Sequence, residues 1–236
     1  MIKCIHNTLL TSLLTLLSLS AWAGQLTVSP LSMNMAPEQP NATYKLKNGS
    51  SLEGFYQIQL FAWDQGPNGE TQLRQQDDLI ITPPVTLIPG NGEQLVRVIQ
   101  KNPQAESTSE KSYRLIISEV PDTESDQGAN LRVLLRMSLP LFVGLPEQEH
   151  ELTVYFQDGA LRVRNNGTAH ARLSDAYWQP RNENQQFLIR EGLLGYVLPG
   201  RELQIPLENT PPEGSVEFFT AAINGDPITL YVGEGP

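Results

Sequence analysis

The chain is nearly without cysteine. Its single thiol, Cys4, lies in the first few residues, so the remainder cannot form an internal disulfide. Any compact fold must therefore rest on core burial alone. Histidine is almost as scarce. Only His150 and His170 follow residue 23, and neither stands in a metal-binding spacing such as His-Glu-x-x-His. There is no Gly-x-Ser-x-Gly and no phosphate loop. Nucleophilic catalysis with a histidine base thus lacks its parts. Basic residues are also few, 16 against 26 acidic ones, for a net charge of −10. That sign argues against nucleic acid or an anionic membrane as partner. No stretch of ten or more residues after the first two dozen has a convincing helical pattern.

What is present begins with an address. Lys3 supplies a positive start, Thr8 to Ser20 form an apolar run, and Ala21-Trp22-Ala23 is a small-residue cleavage pattern. Residues 1–23 are therefore expected to be a secretory signal peptide, cut before Gly24. Losing Lys3 would bring the net charge to −11. The apolar run is short for a bilayer span and no second one follows, so no membrane insertion is expected.

From Gly24 onward the pattern is strands and turns. Leu26 to Met35 is a first strand broken by Pro30, and Ala42 to Leu46 a second. Phe55 to Trp63 places Tyr56, Ile58, Leu60 and Ala62 on one face. Leu79 to Ile81, Leu95 to Ile99, Ser112 to Val120 and the stretch 131–143 follow. About seven strands in about 120 residues is the spacing of an immunoglobulin-like sandwich. A linker at 144–149 precedes a restart: Leu152 to Phe156, Ala160 to Arg164, Ala171 to Trp178, Phe187 to Leu193, Glu202 to Leu207, Val216 to Ile223 and Ile228 to Val232. Turns fall at Asp158-Gly159, Pro199-Gly200 and Asn224-Gly225. The expected architecture is all-β, with two immunoglobulin-like β-sandwich domains at 24–143 and 150–236, the second smaller.

Several familiar patterns fail on inspection. Asp122, Glu124 and Asp126 alternate like the start of a calcium loop. Gln127 then stands where the glycine should be, and Val133 where the last carboxylate should be. A solvated hairpin tip fits better. The sequons at Asn41, Asn48 and Asn166 match turn chemistry equally well. A sugar-binding sandwich would use aromatic platforms, for which Trp63, Tyr177 and Trp178 are the candidates, though each also suits core packing. Paired-carboxylate hydrolysis offers no pair that stands out among the loop acids. No cofactor, metal or catalytic residue is expected.

The informative stretch is LRVLLRMSLPLFV at 131–143. Leu131, Val133, Leu135, Met137, Leu139 and Leu141 alternate over eleven residues, long for a strand. Pro140 cannot donate a ladder hydrogen bond and favours a sheet edge. A long apolar edge invites pairing with another chain. If strand 112–120 and this one pair about the loop between them, partner numbers sum to 250 or 251. The first register sets Arg114 opposite Arg136, a repulsive pair. The second sets Arg114 against Met137 and Glu119 against Arg132. Arg114 and Arg136 stay close in both. Two converging guanidinium groups would suit a carboxylate, which arginine binds in bidentate fashion, and a chain's C-terminus is such an anion.

These residues carry a resemblance. Asp78-Leu79-Ile80-Ile81-Thr82-Pro83-Pro84, then Ile88-Pro89-Gly90, Gln94-Leu95-Val96-Arg97-Val98, Ser112-Tyr113-Arg114-Leu115 and the long strand resemble, in order, the PapD-like chaperones of chaperone-usher pilus assembly. The likeness runs along the whole chain after the signal and is strongest over 78–143. It implies a boomerang of two sandwiches, residence in the periplasm, and a long strand lent to a pilus subunit that lacks its own last strand. Leu131, Val133, Leu135 and Met137 would be the lent side chains. It implies delivery to an outer-membrane usher, and the open edge suggests self-association when free. Pro83, Pro84, Pro89 and Gly90 would shape turns, with a cis bond in the proline pair. The better-known branch anchors the subunit's carboxylate on an arginine and a lysine, at positions that fall on Ser32 and Ser138 here. That departure resembles the archaic branch and makes Arg114 and Arg136 the expected replacement anchors.

Overall fold

The computed structural model describes residues 26–103, 108–121, 134–181, 183–207, 211–212 and 214–235. Seventeen strands are β1 (Leu26–Ser29), β2 (Met33–Met35), β3 (Asn41–Asn48), β4 (Gly54–Gln65), β5 (Thr71–Arg74), β6 (Leu79–Thr82), β7 (Val85–Ile88), β8 (Glu93–Gln100), β9 (Lys111–Glu119), β10 (Arg136–Val143), β11 (Leu152–Gln157), β12 (Ala160–Asn165), β13 (Ala171–Pro180), β14 (Phe187–Val197), β15 (Glu202–Pro206), β16 (Val216–Ile223) and β17 (Asp226–Gly233). Among the described residues there is no helix.

The first sandwich faces the sheet β1-β3-β8-β6 against β2-β10-β9-β4-β5, with β7 added to β4. The chain changes sheet between β1 and β2, across a cis Ser29–Pro30 bond. Pro30 thus does more than interrupt a strand; it separates two that pair with different partners. Val28, Tyr44, Leu46, Ile58, Val96, Val98, Leu115 and Ile117 fill the space between the sheets, at alternate positions along their strands. Two strands are not apparent in the sequence pattern. β5 reads Thr-Gln-Leu-Arg and is exposed throughout, so it carries no apolar alternation. β7 buries Thr86 and Ile88 while Val85 and Leu87 face out, which blurs its phase.

The second unit joins seven strands in the order β14-β13-β16-β17-β11-β12-β15. Its core gathers Val163, Leu173, Phe219 and Ile223 among others. Asp158-Gly159 and Asn224-Gly225 close two-residue hairpins in which all four residues have positive φ. That conformation suits the twist of the flanking strands and explains why these dipeptides mark turns.

One buried asparagine pins a turn in each unit. The Asn48 side chain donates to Leu52 O at 2.8 Å and to Ile88 O at 3.1 Å, and accepts from Ser50 N at 2.9 Å. Asn165 donates to Ala169 O at 2.7 Å and Val197 O at 3.0 Å, and accepts from Glu151 N and Gly167 N. Turn chemistry, not a glycan site, is the use made of Asn48. Its side chain is buried and fully engaged.

The two units meet on the outer face of β4. Even-numbered Tyr56 and Ile58 enter the first core, while odd-numbered Trp63 and Gln65 are buried against the second unit. Gln65 reads that unit's backbone twice, donating to Tyr196 O at 2.8 Å and accepting from Leu198 N at 2.8 Å. Beside it, Asp64 accepts from Arg201 Nε at 2.6 Å and Nη2 at 2.9 Å, and from Arg74 Nη2 at 3.1 Å. Burial alone would push the Asp64 carboxyl up. The Arg201 hydrogen bonds, the Gln65 N–H and the two guanidinium charges outweigh it and hold the group below its ordinary range. A carboxyl lowered on folding stabilises the fold above its ordinary range, and that contribution is lost as pH falls through the lowered value. Asp64→Asn should therefore melt below the wild type at neutral pH. The gap should shrink as pH drops under about 4. Melting curves from pH 7 to pH 2 measure this; a gap that stays constant would assign Asp64 a role other than its charge.

Candidate functional site

The strand expected over 131–143, described as β10, is rooted firmly and, among the described residues, left open at one end. Leu139, Leu141 and Val143 are buried in the first core, with Met137 and Leu135 packed at its margin. Leu134, Arg136 and Ser138 face solvent. On one side β10 pairs with β9 along its whole length, and the ladder continues through Glu119 N to Leu135 O at 2.8 Å. On the other side β2 pairs only with Leu141–Val143. The expected edge is thus correct for residues 136–140 and not for 141–143, where the short β2 covers it. Pro140 stands at the changeover. Leu131 and Val133, like the acidic stretch from Asp122 to Asp126, lie outside the described residues.

The register differs from the expected one. β9 and β10 pair at a sum of 254, so Arg136 faces Ser118 and Arg114 faces Pro140. The reason is where the paired segments end: the described ladder closes at Glu119 and Leu135, which centres the pairing on residue 127 and not on the middle of 121–130. Arg114 and Arg136 are four ladder positions apart, about 13 Å at the usual rise. They do not stand directly opposite one another, so the like-charge conflict of the sum-250 register does not arise.

Arg114 instead sits at the junction of the two units. Its Cζ lies 3.6 Å from the Trp63 ring centroid and 5.5 Å from that of Tyr196. Its Nε is buried without a hydrogen-bond partner, and so is Trp63 Nε1. Among the described residues no carboxylate pairs with it. Burial holds the guanidinium below its usual value. Arg136 is exposed on the same strand as the open edge. Ser138 is exposed and Ser32 lies between β1 and β2.

His170 has a structural occupation. Its Nδ1 contacts the Glu110 carboxylate at 2.8 and 3.0 Å, and its ring stacks on Phe142 at 3.5 Å. This latch also ties the second unit to β10. Sequence reasoning gave no role to Glu110 or Tyr196, because nothing local marks a residue whose partner lies in another sandwich. Two of the three aromatic residues a sugar site would use are engaged elsewhere. Trp63 is buried in the junction, and Trp178 stacks on Phe187 at 4.8 Å. Thr82–Pro83 is cis, as the proline pair suggested, and Pro89 O accepts from Gly92 N to close the next turn. Asn91 N in that turn reaches Ser50 O, tying it to the one Asn48 holds. No group of histidine, cysteine and acidic residues able to hold a metal occurs among the described residues.

Two sandwiches in contact through a buried aromatic corner, with a strand edge left open among the described residues leading away from it, define a protein that works by holding another chain. Residues 25–148 match the model of the pili and flagellar-assembly chaperones, PapD N-terminal domain. The chain belongs to that family, and as a member it assists pilus assembly by binding rather than by catalysis. No curated protein matches it in sequence. Among solved structures it is similar to one of a CsuC–CsuE chaperone–tip adhesion subunit complex, from archaic chaperone-usher Csu pili of Acinetobacter baumannii. The identity is 21% over 78% of this chain and 90% of that one, with a TM-score of 0.61. It is similar to a structure of Salmonella enterica SafA pilin with the SafB chaperone, at 12% identity, 90% and 99% coverage and a TM-score of 0.66. The Pseudomonas aeruginosa CupB2 chaperone aligns at 14% identity, 88% and 100% coverage and a TM-score of 0.60. These likenesses bear on the fold.

Proposed function

We propose that the chain, exported to the periplasm, holds an unfinished pilus subunit by lending it the open edge of β10 and the residues before it. Leu131, Val133, Leu135 and Met137 supply the lent face, Arg114 takes the subunit's C-terminal carboxylate, and the loaded complex is passed to an outer-membrane usher. The observation that carries this reading is the uncovered ladder at Arg136–Pro140, in phase with half-buried Leu135 and Met137. An apolar edge of that kind needs a partner strand. Serines at positions 32 and 138 favour the archaic branch. Arg136 is left out of the anchor; it lies within the lent strand, on the solvent face between Leu135 and Met137. Before a subunit arrives, the same edge can pair with a second copy.

The test is co-purification of a tagged chain with candidate subunits expressed in a bacterial periplasm. Arg114→Ala should lower the recovered subunit about tenfold or more, the loss expected for charge-assisted hydrogen bonds. Arg136→Ala should leave recovery nearly unchanged. Equal losses from both variants would remove the distinction drawn between them.

A further inference from the structure

We infer that Trp63 and Tyr196 are positioning residues that hold Arg114 as a two-pronged receptor for a carboxylate, so that the second unit is part of the binding site. This rests on Arg114 being the anchor. The geometry is as follows. Arginine is a flexible side chain, and fixing it normally takes a carboxylate partner. Here an aromatic corner takes that role. Trp63 and Tyr196 meet edge to face at 5.5 Å and 81°, and Phe142 packs 5.9 Å from each. Arg114 Cζ lies over the first ring and beside the second. Ring faces attract a cation without neutralising it.

The corner is itself held. Gln65 grips the backbone on both sides of Val197, through Tyr196 O and Leu198 N. Tyr196 therefore cannot drift without breaking two buried hydrogen bonds. With Nε shut away from solvent, the terminal amino groups of Arg114 are the donors left for a ligand. They form a planar fork, which fits a carboxylate end-on. A buried charge with no counter-ion is costly, and a partner's anion relieves that cost when it arrives.

The experiment uses the mature full-length chain and a synthetic alternating apolar peptide, made with a free C-terminal carboxylate and as the C-terminal amide. Calorimetry gives both affinities, and their ratio isolates the anchor from the strand pairing. In the wild type the free acid should bind about tenfold tighter. Arg114→Ala should abolish the preference. Tyr196→Leu and Trp63→Phe should each cut it about threefold while amide affinity stays the same. Tyr196→Phe, which keeps the ring, should retain it. A preference intact in both Tyr196→Leu and Trp63→Phe overturns the inference while leaving Arg114 as anchor. Should Tyr196→Leu fail to fold, Trp63→Phe decides alone. No preference in the wild type would instead remove the carboxylate reading, and this inference with it.

Discussion

Val133→Asp should abolish capture of a pilus subunit and leave the chain folded. Along 131–143 the apolar residues keep one phase, and their part in the first core declines toward the N-terminal end. Val143, Leu141 and Leu139 are buried, whereas Met137 and Leu135 only border the core. Val133 continues the phase in sequence beyond the last of these. In the proposed function its side chain enters the subunit's groove, where an aspartate would have to be buried without a partner. That costs several kcal/mol, about a thousandfold or more in affinity. Leu139→Asp is the contrasting variant. It places the same charge in the chain's own core and should unfold the first sandwich. Subunit recovery and circular dichroism on both variants separate lending from self-packing. Normal recovery with Val133→Asp would show that the strand serves only its own fold.

Asn165→Ala should cost about 3–5 kcal/mol of stability. The side chain is fully buried and makes four hydrogen bonds, two as donor and two as acceptor, to the backbone of Ala169, Val197, Glu151 and Gly167. Truncation strands Val197 O in the interior and leaves three half-buried groups without that partner. Asn165→Asp keeps the acceptors but sets a carboxylate against two carbonyls, so it should be at least as damaging. The neighbouring Asn166→Ala is the control, since that side chain is bonded only to Thr153 Oγ1, at 3.3 Å, near the surface. It should change stability by less than about 0.5 kcal/mol. Urea unfolding of the three variants measures the series. A loss near 1 kcal/mol for Asn165→Ala would mean that water reaches the stranded groups.

The contrast between these two asparagines shows what the sequence could reveal. Asn165-Asn166-Gly167 announces a turn, because short polar side chains and glycine favour one wherever they occur. It does not reveal which asparagine points inward, since that depends on β14 and the 149–151 segment closing over it. Strands with an apolar alternation, such as β3, β4 and β8, were legible for the same local reason. β5 was not, because an exposed strand hydrogen-bonds without any apolar face to betray it.

The candidate site divides in the same way. The phase of β10 is written in residues 131–143 and needed no coordinates. The register against β9 depends on where the two strands stop pairing, and 121–130 were the wrong bounds from which to take the centre. Arg114 could be singled out as a charge out of place on an apolar strand. Its companions could not, because Trp63 and Tyr196 are 133 positions apart and meet only when the units dock.

The rooting of β10 makes it a cantilever. Residues 141–143 are gripped on all four sides: by the first core below, by Phe142 against the junction above, by β9 along one edge and by β2 along the other. The end toward Arg136 is held along one edge only, by β9. A beam clamped at its base can sway, but it cannot slide or roll about its axis. Sliding is the dangerous motion for a shared strand, because a slip of one residue turns every apolar side chain to the wrong face. The stub of three residues at β2, too short to matter as a sheet, acts as the stop that fixes the phase a partner meets.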